Sequence, residues 1–202
     1  CEGLHAAHEL KNDAGDLLHV IHRDISPANV FVTYDGTVKV VDFGVARANE
    51  RTHQTSAGQI KGQYAYMAPE HARGKPIDRR ADLWSVGVVL FELLAGRRMM
   101  DLPNDAAILM ALLAGEVPSL SEVRPGLPDH VYAIVSRALS MDPAGRPASA
   151  RELAKELERS ILRLGEPIGQ GDVEELMRSL FTLEKERRLA LIAKARKMGS
   201  GA

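Results

Sequence analysis

The chain has 202 residues, 45% of them apolar and 26% charged, with a formal net charge of -1. That length suits one domain plus a modest extension, and the balanced charge gives no global reason to expect nucleic acid, whose binders carry a strong basic excess. The single cysteine permits no internal disulfide, and the most apolar stretch, Val86 to Leu94, is broken by Glu92 and too short to span a bilayer. A reducing, cytoplasmic setting is expected, and any membrane anchor of a parent protein would lie outside this segment.

In chain order, Leu4 to Leu10 reads as a helix and Asn12-Asp13-Ala14-Gly15 as a turn. Leu17 to Ile21 leads into a polar loop that Pro27 keeps from becoming helical, since proline offers no N–H. Val30-Phe31-Val32 and Val38-Lys39-Val40-Val41 are β-rich runs around Tyr34-Asp35-Gly36, a hairpin signal. Such a hairpin has Asn29 at its entrance and Asp42 at its exit. Residues 45 to 67 lack sustained periodicity and read as a long loop, a length that is usually functional or disordered.

From Arg80 to Ala95 the chain is apolar on nearly every side of a helix, which predicts a core position. Asp78 can cap its start and Gly96 its end. Three further helices are predicted: Asp105 to Ala114, Asp129 to Ser140, and Ala150 to Leu164, the last opening with Ser149 and Glu152 in capping-box register. After Gly165 the composition changes. Pro167, Gly169 and Gly171 mark a break, and Asp172 with Glu175 can cap a tail helix whose Val173, Leu176, Met177, Leu180 and Phe181 fall at helical spacing. Burying that stripe on the chain's own lobe is the preferred expectation, with a partner as the alternative. Lys185, Arg187, Arg188, Lys194, Arg196 and Lys197 are interleaved with Glu184 and Glu186, which reads as a solvated helix, with membrane or partner binding as the alternative. No internal repeat appears.

The chemistry gathers in four motifs. His22-Arg23-Asp24 is followed by Asn29 five residues after the aspartate, then by Asp42-Phe43-Gly44, then by Ala68-Pro69-Glu70. Taken singly, Asp24, Asn29 and Asp42 would read as caps or solvated loop residues. In this order and spacing they resemble the catalytic half of the protein kinase family, from about Leu4 to Leu164. The resemblance implies a mainly α fold with a small β-hairpin, the α+β large (C-terminal) lobe of a kinase, with the small lobe absent from this chain. Residues 1–164 would form that lobe and 165–202 a helical tail.

It also implies roles. Asp24 would orient and accept the proton of an attacking hydroxyl, while Asn29 and Asp42 would hold Mg²⁺ against the phosphates of ATP. Phe31 would pack beneath the adenine, although a core phenylalanine is an equally simple reading. His22 and Phe43 would join an internal apolar stack, Gly44 would let the backbone turn after Asp42, and Asp82 would anchor the catalytic-loop backbone. Glu70 would pair with Arg146. Arg23, with Arg47 as a second arm, resembles the phosphate pocket of kinases switched on by activation-loop phosphorylation. Thr52, Thr55 and Ser56 are available acceptors, with solvated loop hydroxyls as the plainer reading.

The departures are informative. Ser26 stands where serine/threonine kinases carry a lysine that steadies the transferred phosphate, and Gln63 replaces the threonine that touches it. The two changes are matched, and the variant resembles bacterial eukaryotic-like kinases. Pro27 favours serine/threonine acceptors over tyrosine. Only 21 residues precede His22, and none forms a Gly-rich loop or a Val-Ala-Ile-Lys pattern. The expectation is therefore a serine/threonine protein kinase cut from a longer protein or inherited from a truncated gene, acting on a protein substrate and needing its missing small lobe. A non-catalytic pseudokinase or interaction module is the main rival, and a small-molecule phosphotransferase a third. His5 and His8 share a helix face without an apparent third metal ligand, and Cys1 lacks a recognised base.

Overall fold

The computed structural model describes residues 1–43, 63–165 and 168–199. Gly44, Arg47, Thr52, Thr55, Ser56 and Pro167 lie outside the described residues. The architecture is mainly helical with one two-stranded antiparallel sheet.

Helix α1 (Glu2–His8) buries Leu4 and Ala7. A turn follows, closed by the Gly15 N–H donating to the Asn12 carbonyl, and Lys11 bridges to Leu17 beside it. A 3-10 turn over Pro27–Asn29 delivers the chain to β1 (Val30–Val32), which pairs with β2 (Val38–Val40) in the register Val30 to Val40, Phe31 to Lys39 and Val32 to Val38. Gly36 takes a φ of 78°, a left-handed turn conformation open to glycine at little cost.

Within the span expected as loop, residues 63–66 form a 3-10 turn, and Pro69 opens the short helix α2 (Pro69–Ala72). The long helix α3 (Arg80–Ala95) is the centre of the molecule, with Leu83, Trp84, Val88 and Phe91 completely buried. Its core position holds for the first three turns. Leu93 is 75% exposed, because the last turn emerges at the surface before Gly96 ends the helix in the left-handed region. At the other end Asp78 accepts the Arg80 N–H at 2.8 Å.

Helix α4 (Asp105–Ala114) is capped by Asn104, whose side chain accepts the Ala107 N–H. Then come α5 (Leu120–Val123), α6 (Asp129–Ala138) and α7 (Ala150–Leu164). The four-residue helices α2 and α5 are too short for periodicity to announce. The capping box of α7 is only half made. Ser149 accepts the Glu152 N–H, but the Glu152 carboxylate takes the Ala148 N–H and Arg137 of α6 instead of reaching Ser149.

Two apolar clusters meet across α3. One joins Trp84, Val88 and Phe91 to Met99, Met100, Ile108, Leu112 and Val135. The other joins Leu83 to Leu4, Ile25, Ile134 and Leu153. Ile25 thereby pins the polar loop to the core, which fixes where its neighbours point.

The tail forms α8 (Gln170–Gly199), kinked at Phe181, where the backbone leaves helical geometry. Asp172 accepts the Gly169 N–H at its start. The helix lies on the hairpin turn: Gln170 donates to the Asp35 carbonyl and to Thr37 Oγ1, and the Lys185 ammonium sits 5.5 Å from the Tyr34 ring centroid. Docking on the chain's own lobe therefore occurs, but through only part of the expected stripe, with Met177 and Phe181 beside Tyr34. Met177 and Val173 are half-buried, whereas Leu176 and Leu180 remain 55% and 63% exposed.

Candidate functional site

The site begins at a buried carboxylate. Asp82, in the first turn of α3, accepts the His22 N–H on Oδ2 and the Arg23 N–H on Oδ1, each at 2.8 Å. His8 Nε2 meets the same Oδ2 at 2.8 Å. A buried carboxylate must find donors to offset its desolvation, and here a backbone segment supplies two of them. Helix α3 thus holds the loop in place from beneath. Periodicity had given His8 no role; its contact with Asp82 spans 74 positions.

Above Asp82 the loop is stitched to the hairpin by His22. Its Nε2 lies 2.9 Å from the Val41 carbonyl, which can only accept, and its Nδ1 lies 3.3 Å from the Asp24 N–H, which can only donate. These partners assign the Nε2–H tautomer. One imidazole therefore links the backbone of Asp24 to the end of β2. The His22 ring also contacts Phe43, with centroids 4.5 Å apart.

Asn29 completes the stitching. Its side-chain amide donates to the Asp24 carbonyl at 2.7 Å, its N–H donates to Ser26, and its carbonyl accepts from Val41 at 3.0 Å. Asp24, Asn29 and Asp42 are consequently tied through neighbouring backbone groups. Arg23 and Asp42 both adopt positive φ, 67° and 57°, which is uncommon for residues bearing a Cβ. Such geometry persists only where surrounding contacts impose it, and both residues flank the stitched segment.

The donor set suits a hard cation. The Asn29 amide nitrogen is committed to Asp24, which leaves its oxygen for other partners, and Asp42 adds an exposed carboxylate. Magnesium favours such oxygen donors and completes its shell with waters and phosphate oxygens. Ser26 is half-buried and Arg23 exposed. Phe31 is 56% exposed on the hairpin, so it is not a core residue.

Two further polar networks tie α3 to its neighbours. Arg146 donates to both carboxylate oxygens of Glu70 at 2.7 Å, and also to the carbonyls of Ser140 and Arg80. Its guanidinium lies 5.2 Å from the Trp84 ring centroid. Sequence reasoning missed the second. Tyr66 donates from its hydroxyl to Glu92, Glu92 accepts the Met99 N–H, and Ser85 donates to the Tyr66 carbonyl. Burial first, and then the Glu92 carboxylate, push the Tyr66 hydroxyl well above its usual pKa, so it stays a proton donor. Glu92, which interrupts the apolar run from Val86 to Leu94, was the available signal.

The protein kinase domain family matches residues 1–158. The chain belongs to the protein kinase family. Among its relatives it is 50% identical over 156 residues to the tyrosine-protein kinase MasK of Myxococcus xanthus, covering 77% of this chain and 24% of that protein. It is 31% identical over 170 residues to the serine/threonine-protein kinase PrkC of Bacillus subtilis, covering 84% of this chain and 25% of that protein. To the probable serine/threonine-protein kinase PknB of Corynebacterium glutamicum it is 38% identical over 165 residues, covering 79% of this chain and 24% of that protein. The chain spans about a quarter of the length of these relatives.

Proposed function

We propose that this chain supplies the catalytic loop and metal ligands for phosphoryl transfer from ATP to serine or threonine hydroxyls of a protein substrate. Residues 1–164 serve as the large lobe and 165–202 as an appended tail. The observation that carries the reading is the double link made by His22 and Asn29, which ties the backbone of Asp24 to the exit of the hairpin and so to Asp42.

Asp24 takes the proton of the attacking hydroxyl. The hydroxyl oxygen forms a bond to the γ-phosphorus while the bond to the β-phosphate oxygen breaks, releasing ADP. Asn29 and Asp42 hold Mg²⁺, whose charge offsets that of the phosphates. Phe31, open on the hairpin, offers an apolar platform for the adenine. With serine at position 26 in place of lysine, the transferred phosphate has one positive charge fewer around it.

Joining the chain to the small lobe of an active relative and following radiolabel transfer from ATP to protein tests this. Transfer is expected, and Asp24→Asn should lower it about 10²–10⁴-fold with Mg-ATP affinity retained. Asp42→Ala should abolish metal-dependent nucleotide binding itself. Equal loss of affinity in both folded variants contradicts that division of roles. No transfer with several active partners would favour a non-catalytic interaction module.

Tyrosine is the second reading of the acceptor, favoured by the 50% identity to a protein named as a tyrosine kinase. Phosphoamino-acid analysis of the labelled product separates the two.

A further inference from the structure

A two-stranded hairpin this short is marginal in water unless a helix or further strands pack on it. Here it spaces the two residues assigned to the metal, with Asn29 just before β1 and Asp42 just past β2. Its root is well held. The Val41 N–H donates to the Asn29 carbonyl at 3.0 Å, His22 Nε2 reaches the Val41 carbonyl, and Val40 packs on the second apolar cluster. Its middle is open, with Phe31, Val32, Val38 and Lys39 all exposed.

The tip is covered by the tail. Gln170, the first residue of α8, sits astride the turn: its side-chain nitrogen donates to the Asp35 carbonyl at 2.9 Å and to Thr37 Oγ1 at 3.0 Å. Between them Gly36 is buried, and its backbone lies so close to the Gln170 carbonyl and the Glu174 N–H that a Cβ has no room. Contact persists past the kink at Phe181, where the Lys185 ammonium stands 5.5 Å from the Tyr34 ring centroid. The turn's own hydrogen bond, from the Thr33 N–H to the Thr37 carbonyl at 2.9 Å, belongs to this covered segment.

We propose that α8 braces the metal-binding hairpin and that Gln170 is a positioning residue for the ion, acting through the hairpin without touching the metal. The inference rests on the assignment of Asn29 and Asp42 as metal ligands. The ladder between β1 and β2 sets the spacing of those two residues. With the tip pinned, the strands cannot open from the turn toward the root. With the tip free, the exposed middle offers little resistance, and opening runs down to the Asn29–Val41 hydrogen bond. Magnesium demands near-ideal geometry of its oxygen ligands, and its apparent affinity falls in proportion to the time that they spend in register.

Gln170→Glu in the full chain tests this. It removes both donors and sets a carboxylate against the Asp35 carbonyl, yet it suits the first turn of a helix, so α8 itself is kept. A hairpin open about two-thirds of the time exchanges its amides within about twofold of an unstructured chain and needs about threefold more metal. Amide exchange at Thr33 and Val41 should therefore lose nearly all its protection, with the circular dichroism spectrum unchanged. A titration with Mn²⁺ alone, followed by paramagnetic broadening of the Asn29 side-chain amide, should shift by about threefold. Leu176→Ser, at an exposed position of the same helix, should change neither. Protection retained at Val41 overturns the brace, as does lost protection with an unshifted titration. A titration that Asp42→Ala leaves as it was would instead sink the ligand assignment, and with it the role of Gln170 toward the ion, whatever the exchange shows.

Discussion

Asp82 shows how one side chain can set the geometry of a distant loop. It receives donors from positions 8, 22 and 23, and its own oxygens are almost wholly shielded from water. Removing it would leave two backbone N–H groups and His8 without their acceptor. Asp82→Ala is expected to cost about 3–5 kcal/mol, read by urea denaturation, since each orphaned buried donor carries its full desolvation penalty. A loss within about 0.5 kcal/mol, the range of ordinary surface substitutions, would mean that the loop is held by other means. Arg146 has the same logic from the cationic side, with Glu70 and two carbonyls as its acceptors.

Among the elements, α6 and α7 are joined by a cluster of charge. Arg137 of α6 donates to Glu152 and to Glu156, both on α7. The hydrogen bond from Arg137, followed by that from the Ala148 N–H, holds the Glu152 carboxyl below its ordinary value of 4.5. A folded value below the unfolded one gives stability that is complete above the unfolded value and is lost as pH falls through it toward the folded value. Glu152→Gln should therefore flatten the stability curve between about pH 5 and 3 and leave the neutral side lower by about 0.5–1 kcal/mol, as for partly exposed pairs. Thermal unfolding across that range checks both. An unaltered acid slope would show that other carboxylates govern it.

At the scale of the whole molecule, the seam between hairpin and tail depends on a glycine. A Cβ at Gly36 would run into the Gln170 carbonyl and the Glu174 N–H of α8. Gly74 has a similar left-handed φ, 66° against 78°, but open space around it. Both Gly→Ala changes carry comparable backbone strain, so their difference isolates the seam. Gly36→Ala should speed amide exchange at residues 170–177 by about tenfold or more, and Gly74→Ala should not. Equal protection in the two variants would mean that α8 does not depend on this contact.

The amino-acid sequence by itself determined what is local. The β-rich runs around Tyr34-Asp35-Gly36 specify the hairpin, and the run from Arg80 to Ala95, ended by Gly96, specifies the central helix; both were legible because their signals lie within a few residues of each other. The order His22-Arg23-Asp24, Asn29, Asp42 was legible for the same reason. Tertiary structure decided what depends on distant partners. The hold of Asp82 on residues 22 and 23 was legible only through the family resemblance, whereas its contact with His8, 74 positions away, and that of Gln170 with Asp35 across 135 were not legible at all. Periodicity placed Leu176 and Met177 on one apolar stripe, yet only contact with the hairpin decided that Met177 is half-buried and Leu176 open. The capping box of α7 is only half made for the same reason, because Arg137, on another helix, and the Ala148 N–H take the Glu152 carboxylate. A short-range pattern can say which side chains share a face, but what that face meets is settled when the rest of the chain folds against it.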